Sequence, residues 1–258
     1  MTTQKDKAQA FRALHVRGKP LVLLNVWDPG SAKAIVAGGA VALATGSWSV
    51  AAAHGFDDGE KLPLELALQN VQRIVATVDL PLSMDIESGY GDSADAVANT
   101  VRRTIQAGAI GCNIEDSFVA DGTLRPIDDQ VQRLRAARAA ADASGVPFFI
   151  NARCDVFFQP NVAHDAAAVE AALARAAAYA AAGADGFFAP GLADEALIAR
   201  LAGAAPLPLN IMAMANTPSA AKLAQAGVAR ISHGPGPFRQ AMTMLEEMAR
   251  AAYSQASG

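Results

Sequence analysis

Short apolar runs recur along this chain at intervals of about 25–30 residues, the length of one strand-plus-helix unit. They occupy residues 21–27, 41–46, 80–87, 111–116, 147–155, 186–190, 207–215 and 229–234. Each is nearly continuous in apolar character and bounded by turn residues, the pattern of strands buried on both faces of a parallel sheet. Between them, residues 31–37, 64–76, 94–107, 128–144, 163–182, 194–202, 219–226 and 238–252 show helical spacing of apolar side chains. Several of these segments stop at a glycine just before the next strand, where a left-handed residue ends a helix. Eight strands alternating with eight helices predict a (β/α)8 TIM barrel, with residues 1–258 forming a single catalytic domain. An open doubly wound sheet is the rival. It wants a glycine-rich fingerprint after its first strand, and NVWDPGSAKA does not supply one.

Composition narrows the function. The chain is 52% hydrophobic, carries a net charge of −4 and has no basic run. A nucleic-acid surface would need clustered Lys and Arg, so no nucleic-acid partner is expected. No run of roughly 18 apolar residues occurs, which argues against a membrane partner. Lys5, Asp6, Lys7 and Arg12 interrupt the first residues, which therefore lack the apolar core of a secretory signal. A cytoplasmic protein is expected. Cys112 and Cys154 suggest neither a disulfide framework nor a zinc site, and Cys154 reads as a small buried residue.

In such a barrel the active face is formed by the C-terminal ends of the strands. Polar residues gather there: Asn25 and Asp28, Thr45 to Trp48, Asp85 and Glu87, Glu115 and Asp116, Asn151, Arg153 and Asp155, Asn210, Ser232 and His233. Asp85 and Glu87 are two apart, which in a strand aims them to one side, and Glu115 enters from the next strand. Three converging carboxylates repel one another unless a cation lies among them. Mg2+ suits the set because it accepts one or two carboxylates and keeps several waters. Mn2+ is a possible substitute. Alternatively, the acids pair with Arg153 or with helix N-termini. Arg153 suits bidentate capture of a substrate carboxylate, or else forms an ion pair with Asp155 or Glu115. Gly46, Ser47 and Trp48 either present amides to an anion or form an ordinary strand exit. Residues 51–60 read as a loop in which Asp58 is either a catalytic group or solvated. His15, His54 and His164 read as surface or helix residues, while His233 reaches the pocket or serves structure.

These motifs resemble the isocitrate lyase/phosphoenolpyruvate mutase superfamily. The resemblance runs over nearly the whole chain, through LNVWDPGSAKA, MDIESGYGD, GCNIEDS, NARCD and RISHGPGPFR. It implies a Mg2+ site in which Asp85 is the direct ligand and Glu87 and Glu115 assist directly or through water. It implies that Ser47, the amides around Gly46 and Trp48, and Arg153 hold the substrate. It also places Asp58 near the reacting group and Asn210 among the substrate contacts. The family barrel exchanges its last helix between subunits, usually in tetramers, so a homo-oligomer, dimer or tetramer, is expected.

One departure bears on the reaction. The isocitrate and methylisocitrate lyases carry a K-[KR]-C-G-H loop after the fourth strand, and this chain has EDSFVADGTLRPID instead. The Lys and Asn or Thr of the C–P bond enzymes are not evident there either. The expected activity is a Mg2+-dependent carbon–carbon lyase acting on a small 2-oxo acid or related carboxylate through an enolate-like intermediate, by cleavage or decarboxylation. The alternatives are a phosphonopyruvate hydrolase or phosphoenolpyruvate mutase type of C–P enzyme, and a non-catalytic oxo-acid-binding barrel. On this reading a dicarboxylic substrate would place its second carboxylate near Arg125, the one cation of residues 117–125.

Overall fold

The structure, a computed structural model, describes residues 2–256. The first predicted run forms two short strands, β1 (Leu21–Leu23) and β2 (Asn25–Val26), divided at Leu24. The others follow as β3 (Leu43–Thr45), β4 (Leu82–Asp85), β5 (Gly111–Glu115), β6 (Phe149–Arg153), β7 (Gly186–Phe188), β8 (Leu209–Met212) and β9 (Arg230–Ser232). All pairings are parallel. β1 pairs with β9 while β2 pairs with β3, so a single run holds both ends of the sheet and closes the (β/α)8 barrel.

The expected helices appear as α2 (Pro29–Ala37), α4 (Leu64–Thr77), α5 (Ala94–Gln106), α6 (Ile127–Ala143), α7 (Ala166–Ala181), α8 (Glu195–Ala204), α9 (Ala220–Gln225) and α10 (Gly236–Ala256). α7 starts later than its alanine pattern suggests because the Asp165 carboxylate accepts the N–H groups of Ala167 and Ala168 and so caps it there. It ends at Gly183, which lies at φ 97° and against whose position the Arg138 side chain packs. Two helices were not expected. α1 (Gln4–Ala13) precedes the barrel, and α3 (Ser47–Ala53) takes up residues read as strand exit and loop. At seven residues α3 is too short to show an apolar period, and the turn residues that mark its end begin only at His54.

Burial occurs in two places. One cluster, which includes Leu43, Ile86, Ile114, Leu134, Tyr179 and Ile211, fills the layer between strands and helices. A smaller one joins Leu21, Leu23, Ala42, Ala44 and Phe149 to Ala8 and Phe11 of α1, which thereby plugs the barrel floor. His15 belongs to this floor rather than to the surface, stacking on Phe149 at 4.1 Å. Among the described residues several large apolar side chains remain exposed. Val22 and Leu24 on the first strand are 44% and 40% exposed, and Leu245 and Met248 on α10 are 58% and 64% exposed. Among the described residues no helix is long and apolar enough to cross a membrane.

Burial, reinforced by the positive Arg230 guanidinium, pushes the His15 pKa from 6.5 down to about 3. The unfolded chain therefore binds an extra proton between those values, and stability falls as pH drops below 6.5. At pH 5 this loss amounts to about 2 kcal/mol. His15→Leu should reduce the stability difference between pH 7 and pH 5 by about that amount in urea unfolding. An unchanged difference would contradict the buried neutral imidazole.

Candidate active site

The register of β5 against β6 sets Glu115 directly opposite Arg153 at the barrel rim. Opposite charges in that cross-strand position attract, and Glu115 Oε2 lies 2.6 Å from the Arg153 guanidinium. Asp155, at the start of a 3-10 turn (Asp155–Phe158), takes two more donors: Arg153 Nε at 2.6 Å and Nη2 at 3.1 Å. The Ser117 hydroxyl donates to the same Asp155 carboxylate at 2.8 Å. Arg153 is therefore held on two sides by carboxylates. Burial opposes its charge, but Glu115 and Asp155 outweigh burial and raise its pKa. Both ion pairs weighed from the sequence are present together.

β4 ends at Asp85, so the strand argument that aimed Asp85 and Glu87 to one side does not apply beyond it. Asp85 is fixed from three directions. Its own N–H donates to Thr45 Oγ1 at 2.9 Å, and its carboxylate accepts the N–H groups of Ser47 and Glu87, each at 3.3 Å. Glu87 stands in the left-handed region at φ 50° and its carboxylate turns toward residues 59–60. There it accepts the N–H groups of Gly59 at 2.8 Å and Glu60 at 2.6 Å. Glu60, itself at φ 58°, accepts the Tyr90 N–H at 2.7 Å. Sequence reading missed Glu60 and Tyr90, because their part depends on left-handed backbone that neither residue type announces.

The electrostatics of this rim are lopsided. Burial raises the pKa of Asp85 despite the pull of Arg153. Burial raises Glu87 to about 7, against its backbone hydrogen bonds and with Asp58, Asp85 and Glu60 adding repulsion. Burial likewise pushes Glu115 to about 8 against the attraction of Arg153. Asp58 lies exposed on the loop after α3, close enough to act on Asp85 and Glu87 through its charge. Several carboxylates thus face one guanidinium, a donor set short of positive charge that a hard cation would complete. Among the described residues no three His, Cys, Asp or Glu side chains stand close enough to hold a metal ion together. The acids of this rim thus stand as single carboxyl groups, Asp85 and Glu87 on backbone donors and Glu115 on Arg153.

The remaining predicted residues fall in three places. The Ser47 amide at the start of α3 is already engaged with Asp85, and Gly46 precedes it against Asn25. Trp48 meets Phe238 at 5.9 Å, and Arg239 lies over its ring at 4.5 Å. Asn210 is buried inside the barrel, where its Oδ1 accepts the Ser232 hydroxyl at 3.2 Å and its Nδ2 has no partner. His233 is half-buried and lines a separate 780 Å³ cavity with Met212 and Arg239. Arg125 is not free on its loop. It is 2% exposed, paired to Asp92 at 2.6 Å and Asp129 at 3.1 Å, and covered by Phe118 at 4.1 Å. Burial raises both thiol pKa values, which keeps Cys112 and Cys154 protonated and unreactive.

Buried acids and an arginine thus gather at the C-terminal rim of a parallel barrel, the face that carries the active site in enzymes of this fold. The family described as phosphoenolpyruvate phosphomutase matches residues 11–253. The chain belongs to the isocitrate lyase/phosphoenolpyruvate mutase superfamily, whose members include lyases and mutases. It is 54% identical to a Burkholderia cenocepacia J2315 protein provisionally named a phosphonomutase; the match covers 96% of this chain and 99% of that one with a TM-score of 0.94. It is 32% identical over 223 residues to the 2-methylisocitrate lyase of Salmonella typhimurium, covering 81% and 72% of the two chains. An uncharacterized Mycobacterium tuberculosis protein is 34% identical over 247 residues, covering 94% of this chain and 88% of its own.

Removing one member of a buried ion pair leaves its partner uncompensated, at about 3 kcal/mol or more. Asp155→Ala should therefore destabilise the barrel by about that amount in chemical unfolding, and Asp155→Asn by less, since the amide oxygen still accepts one donor. Equal stability of Asp155→Ala and the parent would refute the buried clamp on Arg153.

Proposed function

We propose that this protein is a Mg2+-dependent, lyase-like enzyme acting on a small 2-oxo acid or related carboxylate, by carbon–carbon cleavage or decarboxylation. The observation that carries this reading is the excess of buried carboxylate around Asp85 at the strand ends. Asp85 would hold the ion directly, with Glu87 and Glu115 reaching it through water, and Mn2+ could replace Mg2+. The bound ion supplies Lewis-acid stabilisation of negative charge on the substrate's oxygens.

The chain's own groups supply the rest. Arg153 has one hydrogen on each terminal nitrogen beyond those committed to Glu115 and Asp155, and these would orient the substrate carboxylate. The Ser47 amide lies against Asp85, and Gly46 and Trp48 on either side of it in the chain would complete the substrate contacts. The unpartnered Asn210 Nδ2 is a donor for a substrate oxygen. Asp58, on the exposed loop near the acids, is placed to carry a proton between the site and solvent. The same reading makes the protein a cytoplasmic enzyme.

A C–P bond reaction is the second reading, favoured by the 54% identity to the Burkholderia protein with a phosphonomutase name. Product analysis separates the two: pyruvate release from an oxo acid supports the lyase, and phosphate release from phosphonopyruvate supports C–P chemistry. A third reading, a binding barrel without turnover, would give ligand affinity and neither product.

Calorimetry should detect Mg2+ binding, and Asp85→Ala should abolish it while the far-ultraviolet spectrum stays unchanged. With saturating Mg2+, millimolar oxalate should raise the melting temperature. Unchanged Mg2+ affinity in Asp85→Ala would refute the assignment of the ligand, and no response to oxalate would refute the oxo-acid reading.

The uncovered apolar surfaces support a homo-oligomer in which α10 covers the first strand of a second copy. Leu245→Asp combined with Met248→Asp should lower the mass measured by sedimentation to that of one chain. An unchanged mass would exclude this helix from the interface.

A further inference from the structure

Beside Glu115 and Arg153 lies a 260 Å³ cavity whose outer wall is Phe118, Val119 and Phe158. Val119 and Phe158 are 39% and 43% exposed and line the same cavity as the charged rim. Each is held in place. Phe158 lies 5.4 Å from the Arg153 guanidinium, Phe118 is stacked on Arg125, and Val119 packs over Gly59. The apolar wall is thus fixed and continuous with the group that would orient the substrate carboxylate.

The charge inside this cavity is also settled. Arg153 is the cation in its lining, and Glu115 and Asp155 both bind it, which leaves it no uncompensated positive charge for a second anion. Arg125, the residue that would have met a second carboxylate, is turned away and paired with Asp92 and Asp129. Arg175 is likewise spent on Asp116 and Tyr179. A second anionic group entering here would be desolvated beside the acids Glu115 and Asp155 with no free positive partner in the lining.

We infer that this cavity is a specificity pocket for an uncharged, apolar substituent, so that the substrate is a small 2-oxo or 2-hydroxy acid with one carboxylate near Arg153 and a short branched or aromatic side chain. Phe118, Val119 and Phe158 determine this specificity. The inference rests on the oxo-acid reading of the site above, and it replaces a dicarboxylate or phosphonate with a monocarboxylate.

The test compares three probes with saturating Mg2+ by calorimetry: oxalate, 4-methyl-2-oxopentanoate and 2-oxoglutarate. The last two share a 2-oxo acid head and differ in ending in a branched alkyl group or a carboxylate. The expected result is binding of oxalate and a preference of about tenfold or more for 4-methyl-2-oxopentanoate over 2-oxoglutarate, the scale on which pockets separate such groups. Val119→Lys, at an exposed position that tolerates the change, should shift the ratio of the two affinities toward 2-oxoglutarate by about tenfold. If oxalate binds and 2-oxoglutarate binds as tightly as 4-methyl-2-oxopentanoate, the pocket assignment falls and the oxo-acid reading stands. An unaltered ratio in Val119→Lys also overturns the pocket assignment. If none of the three binds, both fall.

Discussion

Closing a parallel sheet into a ring brings the ends of all its strands to the same rim, and here the closure depends on one interrupted strand. Leu21–Leu23 pairs with β9 and Asn25–Val26 with β3, so the run on either side of Leu24 belongs to two neighbours. Without that double engagement the sheet would stay open, and Asn210 and Ser232 would not share an interior with Asn113 and Asn151. The interior that results is polar above an apolar floor. Arg230, fully buried, crosses it to reach Ser232 and Asn113.

Charge at the rim follows from register and burial together. The β5–β6 register fixes Glu115 against Arg153, and Asp155 completes a clamp that removes most of the guanidinium's freedom. Asp85 and Glu87 are held by neutral donors, mostly backbone N–H groups, which orient a carboxyl group without supplying positive charge. A rim arranged this way gathers more acids than cations, and burial raises the pKa of Asp85, Glu87 and Glu115 in answer.

Much of this was legible beforehand, and the reasons differ by element. All eight strands could be read because a strand buried on both faces must be apolar throughout, and the rim acids stood out as polar breaks in those runs. The burial of His15 could not be read, since it comes from α1 folding across the floor, a contact between distant parts of the chain. Glu87 was read as a strand residue, and the left-handed turn that redirects it is invisible in the residue type. Arg125 was the single cation of its loop and so looked available. Its commitment to Asp92 depends on the loop after β4 folding back, which sequence spacing does not show.

The segment between β5 and α6 has a further consequence through the way it is tied down. The Phe118 N–H donates to Thr123 O, the Arg125 N–H to Asp116 O, and the Gly122 carbonyl accepts from Gln159, while Arg125 and Arg133 join the same neighbourhood to Ser88. A rim so cross-linked is assembled before any ligand arrives. Little ordering entropy is then lost on association, and encounter need not wait for a slow closing motion. For the proposed oxo acid, the counterpart would be that solvent is kept out by the fit of the guest against this wall. Molecules that leave gaps against the wall would sit in a wet site, where every electrostatic contact is weaker.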